Sequence, residues 1–329
     1  MGAETTLHGE PARFARGFQQ VGEQTWAWLQ PNGALGESNA GLIASGEHVL
    51  LVDTLWDLAL TRRMLDEARS LVDAEPQTLF NTHSDGDHIW GNQLLAGARI
   101  VSTVKARELM TLDKPGDLRR LKRLGRVLRP LGREFAPFDW TGVELTLPNE
   151  TFEGELSVEV GERRIELIEV GPAHTAGDAI AWVPDASVCF AADILFIGCT
   201  PITWAGPLSG WLSAIDRVSA LGATTFVPGH GPVCDQSAVD LLRQYLEWAQ
   251  TEGGALLDRG LSPAKAAREL LLSEEFKSLP WASWDDPARL VITLSTEQYR
   301  GNGGQGHLTG LGRTRAIAQM QRLKSKLKA

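Results

Sequence analysis

The segment Asn81-Thr82-His83-Ser84-Asp85-Gly86-Asp87-His88 places four side chains able to ligate a metal within six positions. Imidazole and carboxylate groups crowded this closely cost electrostatic and desolvation energy unless a cation sits between them. A solvated turn is the alternative for Asp85-Gly86-Asp87, because Asp and Gly favour turns. Three more ligand-type residues follow, each where an apolar run ends. They are His174 in Gly171-Pro172-Ala173-His174-Thr175-Ala176-Gly177-Asp178, Asp193 in Ala191-Ala192-Asp193, and His230 in Pro228-Gly229-His230-Gly231-Pro232. One histidine after a strand is usually structural or solvated. Three ordered strand-end ligands after a four-ligand cluster point instead to a metal centre that activates water.

Such a centre needs strands whose ends converge. Short β-branched or aromatic runs at Val49–Asp53, Thr78–Asn81, Arg99–Thr103, Ile165–Val170, Val188–Ala191 and Thr225–Pro228 read as strands. Helical patterns at Leu58–Val72, Trp211–Leu221 and Val239–Glu252 alternate with them, which predicts an α/β fold. Loops leaving strand ends are where functional residues collect in such folds. Past about Gly253 only helical patterns remain. Ser262-Pro263 and Asp286-Pro287 both read as an N-cap followed by proline at the first helical position, the second opening a helix towards Tyr299. Six glycines between Gly301 and Gly312 predict a flexible loop before a basic amphipathic helix from Arg313. The expected division is therefore a catalytic domain over 1–252 and a helical C-terminal extension over 253–329.

Composition narrows the partners. The chain has 329 residues, 43% hydrophobic and 22% charged, enough to bury a sizeable core. A net charge of -9 disfavours nucleic acid, a polyanion. No apolar run reaches the roughly 18–20 residues of a membrane span, and Met1–Glu10 has no secretory pattern. Cys189, Cys199 and Cys234 are too few and too scattered for a disulfide framework, so a reduced, cytoplasmic compartment is expected. The expected partner is a small-molecule substrate, with no stable membrane insertion, and a homodimer is left open.

The ligand loops resemble those of the metallo-β-lactamase superfamily, whose mark is Thr-His-x-His-x-Asp-His followed by a distant His, a bridging Asp or Cys, and a final His. The likeness runs from about Val49 to His230 and includes Gly-Pro-Ala-His-Thr-x-Gly-Asp and Pro-Gly-His-Gly-Pro. It implies a four-layer αβ/βα sandwich with two metal ions at one edge. By position, His83 and His174 would bind the first ion, Asp87, His88 and His230 the second, and Asp193 would bridge them. Asp87 would also orient the nucleophile and pass on its proton. Asp53 is either a partner of a ligating imidazole or a turn residue. The family's second histidine is Asp85 here: it either ligates the first ion through oxygen, the reading adopted, or does not bind. Two divalent ions, zinc expected, would then face three carboxylates and a bridging hydroxide, about zero net charge. Carboxylate oxygen raises the standing of manganese and iron relative to zinc.

The chemistry implied is hydrolysis of an ester, thioester or lactone of a small apolar or aromatic acyl group. Eleven tryptophans are many for this length. Trp56, Trp90 and Trp204 near the ligand loops, with Trp281 and Trp284 in the extension, are either aromatic walls of a pocket or ordinary core. Trp90, Trp204 and Trp284 are the candidates for substrate contact. Thr82-His83-x-x-Gly86-Asp87-His88-x-x-Gly91-Asn92 with Trp284-x-Asp286-Pro287-x-Arg289-Leu290 is similar to the branch of polyketide cyclases and thioesterase-like hydrolases. A cyclase is thus one alternative. A diiron or dimanganese oxygen-using enzyme is another, since flavodiiron proteins share the fold and carry a carboxylate where Asp85 stands. Finally, seven basic residues around a leucine stripe over Leu118–Arg133 predict an amphipathic helix. It is a solvated helix over the core, a lid for an anionic thioester, or a membrane-surface contact.

Overall fold

A computed structural model describes residues 4–112, 114–123, 134–299, 306–308 and 310–327. Two sheets form the frame. The first has seven strands in chain order: β1 (Gly17–Gly22), β2 (Thr25–Leu29), β3 (Ala40–Ser45), β4 (His48–Val52), β5 (Thr78–Phe80), β6 (Arg99–Thr103) and β7 (Glu150–Phe152). It is antiparallel through β4 and parallel from β4 to β7. The second contains β8 (Glu155–Val160), β9 (Arg163–Glu169), β10 (Ala179–Val183), β11 (Val188–Phe196) and β13 (Thr225–His230), ordered β13-β11-β10-β9-β8. A two-residue ribbon pairs β12 (Ala205–Gly206) with β14 (Gly306–His307).

The period-2 geometry of strands sorts side chains into layers. In β4, Leu50 and Val52 enter the core between the sheets, while Val49 and Leu51 enter the core under the helix Leu58–Ala68. In β11, Val188 and Phe190 face the first sheet, whereas Cys189 and Ala191 face the helices Leu208–Ala220 and Gln236–Trp248. Strands buried on both faces read as continuous apolar runs. The result is the expected four-layer sandwich, helix–sheet–sheet–helix, followed by a helical C-terminal region.

Strand ends differ from expectation in an informative way. β11 continues to Phe196, so Asp193 lies inside a strand, not after one. The pairing of β11 with β13 shifts register between Phe190 and Ala192, where Ala192 takes a left-handed φ of 45°. A bulge of this kind re-aims the next side chain. The expected helix from Asp286 towards Tyr299 is instead a 3-10 turn, Pro287–Arg289, then a helix over Leu290–Glu297. Asp286 itself sits at φ 51° and makes no capping bond, because its carboxylate pairs with Arg289 and Lys324. The helix Leu290–Glu297 is buried on every face.

The helix Gln236–Trp248 runs through the π-helical Ala249–Gly253 into Gly254–Asp258, across the expected boundary at 252/253. Leu256, Ala266, Leu290 and Leu323 share one hydrophobic cluster with Ile194, Val218 and Leu242. The C-terminal helix, Leu311–Leu327, buries Ala316, Met320 and Leu323 and ties Lys324 to Glu134 at 3.1 Å. Of the basic segment, Pro115–Arg123 is helical; 124–133 lie outside the described residues. No helix among the described residues is long and apolar enough to cross a membrane.

Candidate metal centre

The predicted ligands converge at one edge of the sandwich. β5 ends at Phe80 and hands the chain to His83 and Asp85, then to a single helical turn, Gly86–Ile89, carrying Asp87 and His88. His174 lies in the β9–β10 connection, Asp193 in β11, and His230 at the end of β13. Backbone bonds hold these loops together: Thr54 N donates to His88 O at 2.8 Å, Ala179 N to Thr82 O at 2.8 Å, and Trp204 N to His174 O at 2.7 Å. The Asn39 amide Nδ2 reaches Pro228 O and Gly231 O, at 2.9 and 2.8 Å, fixing the His230 turn to the first sheet. Gly229 has to be glycine, since a Cβ there would stand 1.8 Å from Asp193 Oδ1.

Two triads result, His83–Asp85–His174 and Asp87–His88–His230, each with ligand atoms within 4.8 Å of one another. Asp193 lies between them. Its Oδ2 is 3.4 Å from His174 Nε2, 3.6 Å from His230 Nε2 and 3.8 Å from His83 Nε2, and its Oδ1 is 3.1 Å from His88 Nε2. Ligand atoms about 2.0–2.2 Å from one tetrahedral ion stand about 3.4 Å apart, so these spacings suit cation-binding. His83 Nε2 is buried without a hydrogen-bond partner, and the buried His88 Nε2 and Asp193 Oδ1 have only each other, 3.1 Å apart and outside hydrogen-bonding geometry. Such orphaned polar atoms are costly in a folded protein, and ions between them would satisfy all three. The donor set therefore fits two divalent cations.

The imidazoles are oriented from behind. His88 Nδ1–H donates to Asp53 Oδ2 at 2.9 Å, and His174 Nδ1–H donates to Ile202 O at 2.6 Å, leaving each Nε2 to face the centre. Asp53 also accepts from Thr82 N at 2.8 Å and Thr82 Oγ1 at 2.6 Å, and its φ of 62° is left-handed. Both readings of Asp53 therefore hold: it turns the chain and anchors an imidazole.

Electrostatics follows the crowding. Burial pushes the His83 imidazole down to about 4, helped by neighbouring His88. Burial also opposes charge on His174, but Asp193 and Asp85 outweigh it and raise that ring to about 9. Burial works against an ionised Asp85, yet Arg313 and then His174 hold its carboxyl well below the usual range. Asp193 is lowered in the same sense by the four histidines, against its burial.

A small cavity opens onto this centre, lined by Leu35, Asp85, Asp87, His174, Asp193, Phe196, Ile202, Trp204, His230 and Arg289. Trp204 reaches it; Trp90 and Trp284 are not among its lining residues. Trp90 packs with Trp56, Phe135, Phe138 and Trp140 in a buried aromatic cluster, and Trp284 packs on Tyr245 at 5.3 Å beside Trp281. Arg289, seen in the sequence only within a motif, and Arg313, seen only as the start of a helix, were both missed as neighbours of the centre.

Fold and site together define an αβ/βα sandwich with two adjoining triads of candidate metal ligands. Residues 33–230 match the metallo-beta-lactamase superfamily, and the chain belongs to it. Solved structures are similar in fold: a metallo-beta-lactamase from Pontibacter korlensis (TM-score 0.54, 19% identity, covering 70% of this chain and 98% of that one) is one. Another is the metallo-beta-lactamase FIM-1 from Pseudomonas aeruginosa in its mono-zinc form (TM-score 0.53, 17% identity, covering 73% and 98%). Among curated proteins, a linear primary-alkylsulfatase of Pseudomonas sp. (strain ATCC 19151) is 20% identical over 265 residues, 70% of this chain. The chain spans about half, 49%, of that relative's length.

Proposed function

We propose that the chain is a dinuclear metal-dependent hydrolase acting on an ester, thioester or lactone of a small apolar or aromatic acyl group. The observation that carries this is Asp193, one buried carboxylate whose oxygens lie 3.1–3.8 Å from imidazole nitrogens of both triads. His83, Asp85 and His174 would hold one ion and Asp87, His88 and His230 the other. Two divalent ions bound there would supply Lewis acidity, lowering the pKa of a bound water and polarising a substrate carbonyl. Asp87, whose Oδ2 lies 3.5 Å from His230 Nε2 and which lines the cavity, orients the attacking water and carries its proton towards the leaving group. Phe196, Ile202, Leu35 and Trp204 line the cavity and give it apolar surface for the acyl group. Zinc is the proposed ion, as in the FIM-1 neighbour, with manganese and iron favoured more than an all-imidazole first site would allow. All three cysteines are unpaired, which supports a cytoplasmic location.

The alkylsulfatase likeness, together with Arg289 and Arg313 beside the cavity, favours a second reading, hydrolysis of an alkyl sulfate ester. One panel separates the two. Chelated protein reloaded with zinc or manganese is assayed against carboxylic esters, thioesters, lactones and alkyl sulfates. Metal-dependent turnover of an acyl substrate is expected. Turnover of alkyl sulfates alone supports the second reading. Oxygen uptake by iron-loaded protein with no hydrolysis of either class overturns both.

A further inference from the structure

Asp85 stands at the place of the second histidine in the metallo-β-lactamase loop pattern, and the structure surrounds it with two donors from distant parts of the chain. Trp204 Nε1–H donates to Asp85 Oδ2 at 2.5 Å, and Arg313 Nη1 lies 3.3 Å from Asp85 Oδ1. The Arg313 guanidinium also lies over the Trp204 indole, 4.5 Å from its centroid, and its Nε–H donates to Leu308 O at 2.8 Å. The three side chains thus support one another. Asp85 and Arg313 are each only 13% exposed at the side chain, so the pair is shielded and its geometry is held by packing.

We propose that Arg313, on the C-terminal helix Leu311–Leu327, is a positioning residue that completes the first metal site by fixing Asp85, with Trp204 as its platform. The proposal rests on the reading of Asp85 as a ligand. Three observations carry it. First, an aspartate carboxylate rotates freely about two side-chain bonds, and a ligand must be held in one orientation for the ion to gain by it. Here Arg313 engages Oδ1 and the Trp204 N–H engages Oδ2. Second, each carboxylate oxygen has two lone pairs, so Oδ2 can accept from Trp204 and still face His174 Nε2, 3.1 Å away. Third, replacing imidazole by carboxylate adds a negative charge, and Arg313 adds a positive one beside it. The pair presents the first ion with the net charge a neutral ligand would give. The helix itself is secured elsewhere, by buried Ala316, Met320 and Leu323 and by Lys324 on Glu134, so loss of one side chain at its start leaves its docking in place.

Zinc and manganese titrations of the metal-free full chain, followed by calorimetry with ions counted per chain, test this without an activity assay. Arg313→Met is expected to weaken the first ion by about 10–100-fold, the range for losing a partner of a metal ligand. The Asp87–His88–His230 site should be unchanged, while the metal-free protein should melt at a lower temperature, because the shielded Asp85 carboxylate loses its cationic partner. Arg313→Lys, which keeps the charge but not the fork, should recover part of the loss. Trp204→Phe, which keeps the aromatic platform and removes the N–H, should weaken the same ion and serves if Arg313→Met fails to fold. Wild-type or tighter affinity for the first ion in Arg313→Met, or in Trp204→Phe in its place, would overturn the proposal. Asp85→Ala separates the two levels. If it loses the first ion while the Arg313 variants keep it, the positioning role falls and the ligand survives. If it binds two ions as tightly as wild type, the ligand reading falls and the proposal with it.

Discussion

Among single residues, Asp53 shows how a side chain outside a ligand set governs it. Its carboxylate accepts from Thr82 N, Thr82 Oγ1 and His88 Nδ1, all buried. Removing it leaves those donors unsatisfied, at about 1–3 kcal/mol for each buried group, and frees the His88 ring to rotate. Asp53→Ala should therefore bind its second ion about 10–100-fold more weakly, and Asp53→Asn should lose less, since it keeps an acceptor. Chelator competition measures both. Unchanged affinity in Asp53→Ala would reduce the residue to its turn. The candidate ligands were legible because loop motifs are local: His83, Asp85, Asp87 and His88 fall within six positions. Trp204 and Arg313 were not legible as partners of Asp85. They lie 119 and 228 positions from it, and only tertiary packing brings them together.

At the level of elements, the central strands β4, β5, β6, β11 and β13 were readable because burial on both faces makes them continuous apolar runs. Their ends were less so: the bulge at Ala192 carries β11 past Asp193, and nothing in Ala191-Ala192-Asp193 announces it. The outer strand β8 escaped notice although Glu155–Val160 alternates polar and apolar residues, since six residues compete with many similar surface runs. The N-terminal segment also escaped. His8 Nδ1 lies 3.0 Å from Glu37 Oε1 and its Nε2 3.1 Å from Glu134 O, clasping that segment to the body. Burial disfavours the charged ring, but Glu37 and Glu134 outweigh it and raise the His8 pKa above 6.5. A histidine whose folded-state pKa is raised adds stability that is complete below its unfolded value and disappears as pH climbs through the folded one. The melting temperature of wild type should thus exceed that of His8→Gln by more at pH 5.5 than at pH 9. An equal gap at both would remove the ionic part of the clasp.

Over the whole molecule, the helical C-terminal region does more than cover the sandwich. It shares the largest hydrophobic cluster with the second sheet, places Arg289 in the cavity wall, and brings Arg313 to Asp85. The candidate metal site, the cavity and the C-terminal helices therefore share side chains and one packed core. Among the tryptophans, packing won over pocket-lining at Trp90 and Trp284, because an indole buries a large apolar surface and a core can use it. In the proposed two-ion centre a single carboxylate, Asp193, would be shared between both ions. Counting ions per chain by native mass spectrometry, after reloading metal-free wild type and Asp193→Ala with zinc, tests that sharing most directly. Two ions are expected in wild type and at most one in the variant. One ion in wild type, or two in Asp193→Ala, would contradict it.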